Sequence, residues 1–292
     1  MPAAPEPFLK TIAPYREDVV VCVECIFTWY WLADLCAQER LPFVLGHALY
    51  MQAMHGGKAK NDNIDSQKIA ALRRGGMLPQ ADVYPAERRA TRDLLRRRTH
   101  LMRKRSELLA HVQTTPSPYN LPEIGQKIAD TANREGVAER VADSAGHTTV
   151  EVDWALIPDD DQRLGDIALS LVQAAKHHDA NTLDRVQTVP GIGKILSLVR
   201  LYELHDMARF PRVQDVVSYG RLVTCAKESA GKRLGTSGNT IGNGHLKWAF
   251  SEAAVLFLRT NPPGQKYWAR VENKHGQGQA LTSLAHTLAR AV

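Results

Sequence analysis

Apolar and polar positions follow three regimes along this chain. Up to about residue 84, short apolar runs alternate with helical stretches. Asp18 precedes a continuous apolar run at 19–23, suited to a buried strand, and 41–45 reads as a second one. Residues 27–38 between them have a helical pattern. Gly56-Gly57 breaks the chain, and Asn61-Asp62 opens a helix predicted to reach about Arg74, before Gly75-Gly76. Strand, helix, strand, helix predicts a parallel α/β layer.

From Pro85 the period becomes seven. Leu94, Leu101 and Leu108 recur at that spacing, shadowed by Leu95, Met102 and Leu109, which predicts a coiled-coil seam. Pro116, Pro118 and Pro122 end it. Residues 124–158 have weak periodicity and mixed charge and predict no role. Residues 161–178 carry Leu164, Ile167, Leu171 and Ala174 at helical spacing, and are expected to fold back on the first helix as an antiparallel hairpin. From 183 the pattern is helical again. Stretches at 181–187 and 195–204 flank Thr188-Val-Pro-Gly191-Ile-Gly193-Lys194, the pattern of a helix-hairpin-helix turn. Its glycines can offer backbone N–H groups to a phosphate. The expected fold class is therefore α/β plus all-α, in three segments: 1–84, 85–182 and 183–292.

Composition adds limits. A chain of 292 residues, 44% hydrophobic and 23% charged, reads as globular and long enough for two cores. Glu24 interrupts the longest apolar stretch, far short of the roughly 20 residues of a membrane span. The N-terminus lacks the basic start and apolar core of a signal peptide, so the expected location is cytoplasmic, with no membrane partner. Four cysteines make no disulfide framework, and Cys22 and Cys25 are expected to be core residues rather than zinc ligands.

Charge changes the picture more. Residues 86–113 hold nine basic side chains, among them Arg96, Arg97 and Arg103, against Glu87, Asp93 and Glu107. That local excess equals the net charge of +6 for the whole chain. A one-sided basic helix predicts a nucleic-acid partner. Candidate chemistry lies further on, in a glycine-rich basic run from Cys225 to Trp248. Ser229 sits there among Lys227, Lys232, Arg233 and Lys247, just before a helical stretch at 246–258 that starts near Gly242-Asn243. A hydroxyl in such a loop can attack a phosphodiester. Ser237 is the alternative hydroxyl.

The order Lys60-Asn-Asp62-Asn-Ile-Asp65, a long basic helix, Val189-Pro-Gly-Ile-Gly-Lys, Glu228-Ser229-Ala-Gly-Lys and Gly242-Asn243 with Leu246-Lys247 resembles the DEDD transposases of the insertion-sequence "one-ten" family. The resemblance runs over nearly the whole chain. It implies a RuvC-like (RNase H-like) sheet domain over 1–84, a coiled-coil insertion over 85–182, and a helical transposase domain with a helix-hairpin-helix over 183–292. It also implies cutting and rejoining of DNA, with Ser229 as nucleophile and Glu24, Asp62 and Asp65 as acids holding Mg²⁺. Gly191, Gly193, Lys194, Lys227, Lys232, Arg233, Asn243 and Lys247, with Arg96, Arg97 and Arg103, would contact nucleic acid. DNA is the implied partner, with a bridge RNA in some members and a second copy through the coiled coil.

Carboxylates three apart at a helix start face one side, and Glu24 ends a strand where α/β sheets place their sites. For Asp62 the simpler role is a helix cap. The family's further acid, on a first strand, has no counterpart: Asp18 lies at the opposite end of the strand from Glu24. The sequence is thus expected to start after that strand and to stop inside a helical run beginning at 281. Two other functions fit these residues, a nucleic-acid-binding remnant that cuts nothing and a junction nuclease using water.

Overall fold

A computed structural model describes residues 3–26, 28–54, 61–124, 128–223, 225–237 and 241–292. The chain divides into two compact units, Met1–Ala90 and Thr91–Val292. The segments expected at 85–182 and 183–292 fall almost wholly in the second. Mixed α/β and helical architecture is what the elements show.

In the first unit, α1 (Pro5–Ile12) precedes β1 (Val21–Glu24), α2 (Tyr30–Gln38), β2 (Phe43–Gly46), α3 (Ala48–Met54) and α4 (Asp62–Arg74). β1 and β2 pair in parallel, Val21 opposite Phe43 and Glu24 opposite Gly46, with α2 as the crossover. The strand starts later than the apolar run suggests. Pairing begins only where the Val21 N–H meets the Pro42 carbonyl, and Glu24 ends the strand as expected. Residues 79–81 add an antiparallel bridge, Gly46 to Gln80. α4 opens as expected, but Asn61 is its cap: its Oδ1 accepts the Ile64 N–H at 2.8 Å, which leaves Asp62 in the first turn. Cys25 is exposed, contrary to its expected place in the core, while Cys36 is buried.

In the second unit α5 (Ala86–Thr114), whose first turn belongs to the first unit, is followed by α6 (Ser144–Gln187), α7 (Lys194–Leu204) and α8 (Val213–Tyr219). Then come β3 (Cys225–Ser229), β4 (Lys232–Ser237), α9 (Gly244–Thr260), α10 (Pro262–His275) and α11 (Gln277–Ala291). α5 and α6 run antiparallel: Arg105 bonds Asp161, and His111 Nδ1 lies 2.6 Å from Asp153 Oδ2. The buried heptad row is on α6, at Val150, Ile157, Leu164 and Leu171. Of the expected seam on α5 only Leu95 is buried; Met102 is exposed and Leu94, Leu101, Leu108 and Leu109 are half-buried.

Ile124 and residues 128–158 gain a role here. Ile124, Ile128, Val137, Val141 and Val150 close over Val112 as a small separate core, and residues 144–158 are the first turns of α6. The helix does not stop at His178. It kinks at Asp179, whose carboxylate accepts the Thr182 N–H and so caps the next turns. His178 meets the Tyr202 hydroxyl at 2.9 Å. The main core gathers α6, α7, α8, α9 and α11 around Leu198, Leu201 and Tyr202.

Among the described residues, no helix is long and apolar enough to cross a membrane.

Candidate functional site: a buried carboxylate at a helix start and a serine hairpin

The turn Pro190-Gly191-Ile192-Gly193 leads into α7. Gly191 is held at φ +86°, and a Cβ there would lie 2.6 Å from the Ala253 carbonyl oxygen and 2.7 Å from the Phe257 nitrogen. The glycine exists so that the turn can lie on the backbone of α9. Its packing on α9 is a role that the sequence did not suggest. Gly193 has open space around its Cβ position, and Lys194 is exposed.

α7 carries one acid in an apolar run, and that acid is buried. Glu203 is 2% exposed. An uncompensated carboxylate in such a place would cost several kcal/mol, of order the penalty for a lone buried charge. Three donors remove that cost. Arg96 on α5 donates from Nε and Nη2 to the two carboxylate oxygens, each at 2.8 Å, and Asn243 Nδ2 donates at 2.7 Å. Burial acts to raise the Glu203 carboxyl, but the Arg96 and Asn243 bonds override it and hold the group below its ordinary value. The paired guanidinium is raised in turn.

Asn243 has a second task. Its Oδ1 accepts the N–H groups of His245 and Leu246, capping α9. Its own N–H donates to the Tyr219 carbonyl at 2.6 Å, and Gly242 at φ +115° passes close to that same oxygen. Both Asn243 and Arg96 were expected to touch nucleic acid. Asn243 is instead spent on α7, α8 and α9, and Arg96 on Glu203.

Of the other basic side chains in α5, Arg89 is buried in the first unit, bonded to Asp34 and the Tyr84 carbonyl and lying over Trp29 and Tyr30. Arg105 holds Asp161. Arg97 and Arg103 stay exposed. The basic excess is thus partly an internal device, which charge counting along the chain cannot detect.

Between α8 and α9 the expected loop is a β-hairpin. β3 and β4 are antiparallel, with Ser229 opposite Lys232, a two-residue turn at Ala230 (φ +51°) and Gly231 (φ +73°), and a register shift beside Lys227. Two positive φ values in succession make the turn that matches strand twist. Ser229 and Lys232 are exposed at the tip. The side chains of Lys227, Arg233 and Ser237 lie outside the described residues, as does Gly238. Lys247 is exposed on α9.

The acids do not converge as the sequence implied. Glu24 is half-buried on β1, Asp62 is exposed, and Asp65 pairs with Lys68 at 3.4 Å. Among the described residues no three His, Cys, Asp or Glu side chains lie close enough to hold a metal ion. Helix spacing did place Asp62 and Asp65 in one turn, and α4 packs against β1, but Glu24 does not join them in a metal-holding group among the described residues. Glu203, Tyr219 and His245 were missed by sequence reasoning. The lone acid in the apolar run of α7 was the available signal.

Residues 183–269 match the family model described as "Transposase IS116/IS110/IS902 family". Comparison with curated proteins gives no match. The matched stretch contains the Gly191 turn, Glu203, the serine hairpin and all of α9, and it supports a transposase function.

Proposed function

We propose that this chain cuts and rejoins DNA during insertion-sequence transposition, with Ser229 as the attacking group. The observation that carries the reading is the family match over residues 183–269, which includes the serine hairpin. An exposed hydroxyl on a tight turn, opposite an exposed lysine, suits attack on a phosphodiester, because backbone and charge can both approach a bulky polyanion. The Ser229 Oγ–P bond forms as the P–O bond to one strand breaks, and that strand leaves as a hydroxyl. Attack by the hydroxyl of a new strand reverses the step, so the phosphoserine conserves the bond energy. Lys194, Lys232, Lys247, Arg97 and Arg103 supply the exposed charge for DNA, and for a bridge RNA if one is used. A second copy of the chain is a further expected partner.

The family suggests a divalent metal in general. Glu24, Asp62 and Asp65 as arranged here do not fit one, and no step is assigned to it.

Incubating the protein with duplex DNA bearing an element end and resolving the products on a denaturing gel tests the reading. A covalent protein–DNA adduct is expected, and Ser229→Ala is expected to abolish it. An adduct that survives that substitution ends the assignment. The ungathered acids favour one second reading, a nucleic-acid-binding protein that cuts nothing. It would give salt-sensitive binding and no adduct at any Mg²⁺ concentration.

A further inference from the structure

Between α5 and α9 lies a groove of about 600 Å³, lined among others by Arg98, Thr99, Met102, Arg103, Trp248 and Glu252. Its volume falls in the range of small-molecule sites and is far too small for a duplex. Three features of the lining belong together. Trp248 is only half-buried, so part of its indole is open to the groove. The Arg98 Nε is buried and has no hydrogen-bond partner among the described residues. Exposed Arg103 and Glu252 stand at the margin, one a donor and one an acceptor. A guanidinium with an unmet donor is expensive to keep, and burial does lower the Arg98 pKa. Arg98 and Arg103 both line the groove, so an anion there would meet two guanidinium groups.

We propose that this groove receives one unpaired nucleotide of a bound strand, its base stacked on Trp248 and its phosphate held by Arg98 and Arg103. The inference rests on the nucleic-acid reading above. Stacking needs a flat π-face, and any base provides one. Glu252 can accept from an exocyclic amino group at the base edge. An acidic peptide would bring the phosphate's charge but no flat ring for the indole. The site lies on the second turn of α9, close in sequence to the Asn243 cap, so occupancy would bear on the helix that follows the serine hairpin.

The test uses the full chain and two fluorescent oligonucleotide duplexes, one fully paired and one with a single unpaired 2-aminopurine. Wild type is expected to bind the unpaired duplex more tightly and to quench the 2-aminopurine. Trp248→Leu is expected to lose about tenfold affinity for the unpaired duplex only, with the quenching, within the range known for base–aromatic stacking. Trp248→Phe should keep most of both. Because Trp248 also packs on the core, Arg98→Gln serves as a second variant, expected to weaken the unpaired duplex selectively and to flatten its salt dependence. Equal binding of the two duplexes by wild type, or equal losses on both in the variants, overturns the groove and leaves DNA binding standing. Failure of wild type to bind either duplex overturns the nucleic-acid reading and the groove with it.

Discussion

The two units treat their carboxylates in opposite ways. In Met1–Ala90 the three acids that the family resemblance singled out are half-buried or exposed, and one of them is paired with a lysine one helical turn away. In Thr91–Val292 an unremarked acid, Glu203, is the most deeply buried of the described carboxylates and is bonded by groups 107 residues upstream and 40 downstream. Local periodicity puts side chains on a common face, and water can satisfy them there. Burial is different, because a buried charge forces distant parts of the chain to bring partners. The centre that the fold itself must assemble is therefore the Arg96–Glu203–Asn243 cluster, and it ties α5, α7, the exit from the serine hairpin and the start of α9 together.

Removing that acid gives the largest expected effect. Glu203→Ala leaves the Arg96 guanidinium and the Asn243 amide without their acceptor, and should cost about 3–5 kcal/mol in urea unfolding of the full chain. A loss below about 1 kcal/mol would place the cluster with the surface pairs and erase the contrast between the units. Acid should act on the same centre. Burial, with Arg96, Arg103 and Arg92, pushes His245 below its ordinary 6.5, and Glu203 alone opposes them. The folded state then binds fewer protons than the unfolded one, so stability falls as pH drops below about that ordinary value. Glu203, held below its ordinary 4.5, contributes stability that is present above that value and lost as pH falls further. Unfolding curves at neutral and mildly acidic pH should therefore show two successive losses, and His245→Gln should shrink the first, leaving the share of His286, which burial and Arg290 also hold below its ordinary value.

Gly191→Ala comes next. Its Cβ would meet two backbone atoms of α9, and the residue would be held in the left-handed region, for a cost of about 2–3 kcal/mol. At Gly193, with φ −86° and open space, alanine should be neutral or slightly stabilising. A helix-hairpin-helix whose glycines act only on phosphate would behave in reverse. Gly191→Ala would then weaken DNA binding without lowering the melting temperature, and that result would reassign the turn.

Much of the frame was legible because local patterns fixed it. The parallel pair of strands, the helix opening at Asn61 and Asp62, and the turn before α7 all follow from apolar runs and punctuating residues. The antiparallel return of α6 on α5 was readable, but not its length. Pro158 and the polar run after it concealed a helix that continues from Ser144, and the second core under residues 124–141 depends on contacts distant in sequence. The serine hairpin read as a loop because glycine, serine and lysine mark loops and tight β-turns alike. The basic helix was misread in part, since an arginine bonded to a buried acid looks in sequence like one awaiting a phosphate.

The smallest effect belongs to the first unit, and it sharpens the comparison most directly. Asn61 already caps α4, so Asp62 contributes only its charge near the helix start. Asp62→Asn should cost about 0.3–1 kcal/mol at low salt and less as salt rises. Millimolar Mg²⁺ should leave the melting temperature of both wild type and variant unchanged. If Mg²⁺ stabilised the wild type, and Asp62→Asn and Asp65→Asn each removed that gain, the carboxylates of the first unit would be a centre after all. Surface acids that only decorate a helix cannot produce that linkage, because a ligand stabilises only the state whose site it fits.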